Sequence, residues 1–354
     1  MARLLSNKIE EYLSEIIENN KDTPNYALPS ENQLVLRLHV SRVSVRKALA
    51  ALEEKGLIYK IRGKGTFIRQ SLTLPLGRDA DAPAVFGLIV PDFDTTFPQR
   101  LLVGVQNYCA EHNIGLIHVC SNGHSNEEEN AIALVRRLHC AGVILMPTDH
   151  DNYNHGVLDL AMGKYPTVLI DRTLFGLNMS CVSSDHYNIG YSAAKYLLKK
   201  HRDICMITLT TMVTAITERI NGFDAAMAEA NMSFHKHRLT LQDYDDDRVI
   251  AYMQDFFCNH AQITGIICNS GHLTRLLLKA MQRLHRRIGK DFELVVIDNN
   301  SRDVELLSDM PIPTIEQDAV QIGYKAAELL ENSLTDPEKT ATVKVPLLCD
   351  LSDC

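Results

Sequence analysis

The sequence predicts an α/β protein in two unequal parts: a small helical head ending in a β-ribbon, and a large body of alternating strands and helices. Three observations carry the prediction. Charge is segregated: the 354 residues hold 36 Lys+Arg against 44 Asp+Glu, but residues 1–70 hold 12 against 8 and the rest 24 against 36. A basic head on an acidic body is the asymmetry expected of a nucleic-acid binder. The first seventy residues show helical periodicity three times and then two β-rich runs. From about residue 85, short continuous apolar runs alternate with amphipathic stretches.

In the head, Leu5, Ile9, Tyr12, Leu13, Ile16 and Ile17 recur at helical spacing, and Pro24 marks a loop after them. Ser30, with Gln33 three residues on, is a capping-box start for a second helix reaching about His39. Ser41 caps a third helix with Val45, Ala48, Leu49 and Leu52 as its apolar stripe and Gly56 as its stop. Residues 57–61 and 66–68 read as a hairpin around Arg62-Gly63-Lys64-Gly65.

Three helices and a ribbon make a winged helix-turn-helix, whose second motif helix enters the major groove by its N-terminal residues. Arg42 and Arg46 lie four apart on one face, opposite Val45 and Leu49. Arginine can bridge guanine O6 and N7 or clamp a phosphate, and serine can donate to phosphate. Arg62 and Lys64 at the wing tip suit a minor groove or backbone. The DNA-facing set expected from this geometry is Ser41, Arg42, Ser44, Arg46, Lys47, Arg62, Gly63 and Lys64. Gly63-Lys64-Gly65-Thr66 lacks the spacing of a phosphate loop and falls inside the hairpin.

Leu28-Pro29-Ser30-Glu31-Asn32-Gln33-Leu34, Val40-Ser41-Arg42-Val43-Ser44-Val45-Arg46-Lys47-Ala48-Leu49, Leu52-Glu53-Glu54-Lys55-Gly56-Leu57-Ile58 and Gly63-Lys64-Gly65-Thr66-Phe67-Ile68 together resemble the DNA-binding domain of the GntR family. The resemblance implies that Ser30, Glu31 and Asn32 also face DNA; many members carry Arg where Asn32 stands, and Asn there resembles the arabinose-repressor branch.

Residues 71–84, with Pro75, Gly77 and Pro83 and no apolar period, read as a linker. In the body, residues 85–90, 115–120, 142–146, 167–170, 204–208, 265–268 and 294–297 read as strands buried on both faces. Residues 99–112, 127–138, 189–200 and 274–286 read as helices between them. Repeated βαβ units imply parallel, doubly wound sheets with ligands at the carboxyl ends of the strands. Polar residues cluster at those ends: Asp92 and Asp94, Asp149, Asp171 with Arg172, Asn269 with Ser270, and Asp298 with Asn299. A sugar needs such donors and acceptors plus an aromatic face, for which Phe97, Phe175 and Phe223 are the candidates; the alternative is that each Asp caps a following turn.

Asp171-Arg172, Val182-Ser183-Ser184-Asp185, Asn188-Ile189-Gly190, His201-Arg202-Asp203-Ile204, Arg219-Ile220-Asn221-Gly222-Phe223, Asp298-Asn299 and Pro313-Thr314-Ile315-Glu316-Gln317 resemble the effector domain of the LacI/GalR repressors, which is similar to periplasmic sugar-binding proteins. The resemblance implies a two-lobed periplasmic-binding-protein-like domain over residues 85–354, with lobe 1 at about 85–186 and 317–340 and lobe 2 at about 187–316 and 341–354. It also implies that Arg219, Asn269, Asp298 and Gln317 contact the effector, that Phe97 stacks near it, and that Asp149 and Asp171 lie on the pocket wall. The hinge-helix motif that usually joins a LacI-type head to this body is absent, so signalling is expected to differ from hinge-helix folding.

No run of roughly 18 apolar residues and no secretion signal is present, so the expected location is the cytoplasm, away from the membrane. Nine cysteines without a C-x-x-C pair read as free thiols, with no metal and no cofactor expected. The expectation is a repressor rather than an enzyme: a homodimer joined through its bodies, on a palindromic operator, released by a small sugar. A pentose or 6-deoxyhexose is the first choice of sugar, with a purine or a phosphorylated sugar left open. The rival classes are an enzyme acting on a sugar or sugar phosphate, and a simple sugar-binding protein.

Overall fold

The architecture is that of a computed structural model, which describes residues 9, 12–17, 20, 27–38, 40–54, 57–61, 65–68, 83–148, 153–163, 165–209, 213–232, 238–241, 245–298, 311–335, 339–349 and 351. The chain separates into two compact units, Met1–Asp81 and Ala82–Cys354. The smaller holds helix α1 (residues 12–17), α2 (Glu31–Leu38), α3 (Arg42–Glu54) and an antiparallel pair, β1 (Ile58–Ile61) and β2 (Gly65–Ile68). Ile58 faces Ile68 and Ile61 faces Gly65. Leu13, Leu34, Val45, Leu49, Leu52 and Ile58 form a closed core, and the Leu28 amide donates to the Thr66 carbonyl at 2.8 Å, tying the approach to α2 onto the wing.

The larger unit contains two six-stranded sheets. The first lobe is built from β3 (Val85–Val90), α4 (Thr96–Glu111), β4 (Gly115–Cys120), α5 (Ser125–Arg137), β5 (Gly142–Leu145), α6 (His155–Met162), β6 (Thr167–Ile170) and β7 (Ser180–Ser183). The chain then crosses to the second lobe: α7 (His186–Leu198), β8 (Ile204–Leu209), α8 (Thr214–Glu229), β9 (Arg238–Leu241), α9 (Asp246–Asn259), β10 (Gly265–Cys268), α10 (Gly271–Arg283), β11 (Glu293–Ile297) and β12 (Thr314–Gln317). It crosses back for α11 (Ala319–Ser333) and β13 (Thr342–Lys344), and a third time for β14 (Leu347–Cys349). The strand orders are β13-β7-β6-β5-β3-β4 and β14-β12-β11-β10-β8-β9. Every pairing in the two sheets is parallel except β12 with β14.

The apolar runs have a simple cause. In β3, Phe86, Leu88 and Val90 face the core under α4 and α11, while Ile89 faces the opposite core under α5 and α6. Both faces are covered, so both sets of alternating residues must be apolar.

The last crossing differs from the sequence expectation. Residues 341–354 do not all join the second lobe: β13 pairs in parallel with β7, Val343 opposite Val182, and Val345 is buried in the first-lobe core. Residue 317 also belongs to the second lobe, as the end of β12. Short edge strands extend a sheet by backbone bonding, and their few side chains carry little of the apolar signal from which lobes are read.

Each lobe holds one very close helix pair. A Cβ on Gly190 of α7 would lie 1.8 Å from the Arg219 carbonyl oxygen, and one on Gly222 of α8 would lie 1.9 Å from that of Tyr187. In the first lobe, the same holds for Gly104 of α4 against Val320 O (2.0 Å) and Gly323 of α11 against Leu101 O (2.2 Å).

Candidate functional site

In the head, Ser30 and Gln33 form the expected capping box: the Ser30 amide donates to Gln33 Oε1 at 2.8 Å and the Gln33 amide to Ser30 Oγ at 3.4 Å. Ser41 Oγ accepts from the Ser44 amide at 3.2 Å and so starts α3. The first turn of α2 then holds the arginines of α3. Arg46 Nε donates to Glu31 Oε2 at 2.8 Å, and Arg42 Nη2 to Asn32 Oδ1 at 2.5 Å. Both arginines and Lys47 are exposed, while Val45, Ala48, Leu49 and Leu52 face inward. Glu31 and Asn32 thus act on the arginines, a role the sequence does not display. Arg62, Gly63 and Lys64 lie outside the described residues.

In the body, strand ends from both lobes surround a cavity of about 490 Å³. The first lobe contributes Asp94, Thr95, Phe97, Asp171 and Arg172; the second contributes Arg219, Asn269, Ser270, Gly271, His272, Arg275, Asp298 and Gln317, with Val213, Ala215 and Ile216 as an apolar strip. Arg219 is the centre of the polar frame. Its Nη1 donates to Asn269 Oδ1 (3.0 Å), its Nη2 to Asp298 Oδ2 (3.0 Å), and its Nε to His186 Nδ1 (3.3 Å). Gln317 Nε2 donates to Asp298 Oδ2 at 2.8 Å, and among the described residues Gln317 Oε1 is buried without a partner. Across the cavity Arg172 Nε donates to Asp171 Oδ2 at 3.0 Å.

Asp171 and Asp298 occupy equivalent places. Each follows the last residue of a strand, β6 or β11, and each has a left-handed backbone, φ 70° and 54°. Asp tolerates that region better than most residues, so the chain turns sharply there and the carboxylate remains at the strand end. Burial pushes the Asp171 carboxyl up to about 7; the Arg219 charge opposes this, and Asp298 adds to it. Burial, then Arg219, lowers Arg172 to about 10.

The raised Asp171 value predicts a pH effect. The native chain holds that proton more tightly than the unfolded chain, so this group's contribution is fully present below pH 4 and is lost as pH rises to about 7. Asp171→Asn keeps the shape and the left-handed backbone but cannot ionise. Urea unfolding between pH 4 and 8 should show the variant gaining on the wild type up to about pH 7 and level beyond; a constant difference refutes the assignment.

Of the expected cleft residues, Phe97, Asp171, Arg172, Arg219, Asn269, Asp298 and Gln317 come together at this cavity. Asp149 lies outside the described residues. Two aromatic candidates are corrected. Phe175 is 56% exposed beside Gly176, whose φ of 75° turns the chain outward, and it does not line the cavity. Phe223 is fully buried in the second-lobe core, one helical turn beyond Arg219. His272 and Arg275 were not anticipated. They belong to the first turns of α10, which begins at Ser270, its N-cap, and not near Thr274; the Ser270 cap was the available signal.

The family pattern described as periplasmic binding protein domain matches residues 86–338. The chain belongs to that family. Its head, residues 5–68, matches the pattern of bacterial regulatory proteins of the gntR family. The arabinose metabolism transcriptional repressor of Halalkalibacterium halodurans is 24% identical over 324 residues, 89% of this chain and 85% of its own length. The ribose operon repressor of Haemophilus influenzae is 24% identical over 256 residues, 72% and 75% of the two chains. The crystal structure of transcription regulator CcpA of Lactococcus lactis shares the fold at a TM-score of 0.66 and 18% identity, covering 75% of this chain and 96% of that one. Among the described residues no helix is long and apolar enough to cross a membrane.

Proposed function

We propose that this protein is a cytoplasmic transcriptional repressor whose DNA affinity is lowered by a small neutral sugar, a pentose or 6-deoxyhexose, bound between the two lobes. The observation that carries the reading is the buried Gln317 Oε1 at the cavity, which has no partner among the described residues. It is an acceptor without a donor, beside an Arg219–Asp298–Asn269 frame whose own bonds are already made. A buried orphan acceptor costs about 1–3 kcal/mol, and a ligand hydroxyl would satisfy it while Phe97 covers the C–H face. Asp298 is engaged by both Arg219 and Gln317, which disfavours a general acid or base role for it in the enzymatic alternative.

In this reading two bodies pair and hold two heads on a palindromic duplex. The heads present Arg42 and Arg46, already aimed by Asn32 and Glu31, with the exposed Val43 between them available to a thymine methyl. The sugar acts only through its differential affinity for the two lobe arrangements.

Thermal-shift screening of monosaccharides tests the ligand, since a ligand of the native state must raise the melting temperature. Fluorescence anisotropy on a duplex selected from a random pool tests the head. Arg42→Ala and Arg46→Ala are each expected to weaken binding by about 1–3 kcal/mol. Unchanged duplex affinity in both variants would overturn the assignment of the head, and unchanged affinity across every sugar that binds would overturn the effector role.

A further inference from the structure

Bonds that pass from one lobe to the other gather around the cleft-facing arginine. His186, at the start of α7 in the second lobe, is 1% exposed. Its Nε2 lies 2.7 Å from the main-chain oxygen of Asp171, at the end of β6 in the first lobe. Its Nδ1 lies 3.3 Å from Arg219 Nε. An arginine Nε–H only donates, so Nδ1 is the acceptor and Nε2 carries the proton. A proton added at Nδ1 would set N–H against N–H beside a buried cation. Burial, then the Arg219 charge, holds the imidazole well below its ordinary value; Lys344 and Arg172 act in the same direction and the bond to Asp171 opposes them. Nearby, Thr214 Oγ1 on α8 donates to the Thr173 carbonyl at 2.9 Å. Lys344 reaches Ser183 Oγ and Ser184 O at 3.2 Å, and Glu218 at 3.6 Å.

The His186 bond differs from these others in ending on Arg219, a group that lines the cavity. We propose that His186 is a positioning residue for the effector response, a neutral single-tautomer bridge that ties the Arg219 guanidinium to the end of β6 so that a ligand re-aiming Arg219 is felt in the opposite lobe. This rests on the reading of the cleft as an effector site. The imidazole is 1% exposed, so water is poorly placed to supply replacement partners, and movement of Arg219 would either drag the ring and with it β6, or leave two buried groups unbonded.

Two measurements on the full chain test it. In long-range proton–nitrogen spectra of protein labelled with nitrogen-15 histidine, His186 should show an unprotonated Nδ1 and a protonated Nε2 unchanged between pH 6 and 8. A charged ring or the opposite tautomer overturns the bridge. Duplex affinity is then compared without sugar and with saturating L-arabinose, D-ribose, D-xylose, L-rhamnose or L-fucose. With whichever acts most on the wild type, H186F, which lacks both nitrogens, should lose at least about fivefold of the sugar-induced change. H186Q, which keeps one donor and one acceptor, should restore most of it. A full response in H186F, or no rescue in H186Q, overturns the positioning role. If none of these sugars acts on the wild type, the effector reading falls and the response role with it, while the spectra still decide the tautomer independently. The spectra need no variant, so a misfolded H186F does not shelter the idea.

Discussion

Replacing Gly222 with alanine is expected to lower the unfolding free energy by on the order of 3 kcal/mol. The new Cβ would lie 1.9 Å from the Tyr187 carbonyl oxygen and 2.8 Å from the Tyr191 amide nitrogen, and both are backbone atoms of α7. A side chain could rotate away, but a helix backbone can only be displaced. Moving α7 from α8 opens the core that Ile189, Ala193, Leu197, Phe223 and Ala226 fill together. It also shifts Arg219, one turn upstream on α8, away from Asn269 and Asp298. Gly176→Ala is the control: its Cβ meets nothing within 4 Å, and only a φ of 75° opposes it, a cost of about 1–2 kcal/mol. Urea unfolding of the two variants separates packing from backbone strain, and equal losses would reject the packing account.

Arg219→Ala should cost about 3–5 kcal/mol, the range for removing one partner of a buried ion pair. The guanidinium is 7% exposed and Asp298 14%, and truncation strands the Asp298 carboxylate, the Asn269 carbonyl group and His186 Nδ1 together. Much of that loss should return in the double variant with Asp298→Asn, which removes the stranded charge and tolerates the same left-handed backbone. A double-mutant cycle of denaturation midpoints measures the coupling. Additive losses would mean that Arg219 and Asp298 do not act on each other. Arg219→Lys should recover charge but not the fork geometry, and so little of the sugar response.

The fold was readable where a residue's neighbours in sequence are also its reason for being apolar. β3 and β10 are continuous runs because both their faces are buried. The helices begin up to a turn earlier than their periodicity suggests, because their first turns are held by caps such as Asp185 and Ser270 and show no apolar stripe. β13 lies in the first lobe, against the expectation for residues 341–354, because three residues at a sheet edge are placed by backbone bonding to β7. In the cleft, residue types at strand ends pointed to Asp171, Asn269 and Asp298, whose strand ends open on the same space, while Gln317 came from the family resemblance. Phe223 could not be separated from Phe97 by type, because one turn along α8 is the difference between the cavity and the core. The pairing of Arg42 with Asn32 and of Arg46 with Glu31 joins residues 10 and 15 apart on different helices, a geometry that no spacing rule announces.

The close helix pairs of the two lobes have a wider meaning when their sequences are laid side by side. Asp185 to Leu197 and Asp318 to Leu330 agree at seven of thirteen positions: the aspartate, Ile-Gly-Tyr, two alanines and the leucine. Each aspartate caps its helix at 3.1 Å, and each tyrosine hydroxyl bonds the last glutamate of the partner helix, Tyr191 to Glu229 and Tyr324 to Glu111. The body is thus one half-structure used twice, with a matching stiff brace immediately after each of the first two crossovers. The chain passes between the copies at Ser184–Asp185, Gln317–Asp318 and Val345–Pro346, so a rotation of one copy against the other would fall on those links rather than on the braces.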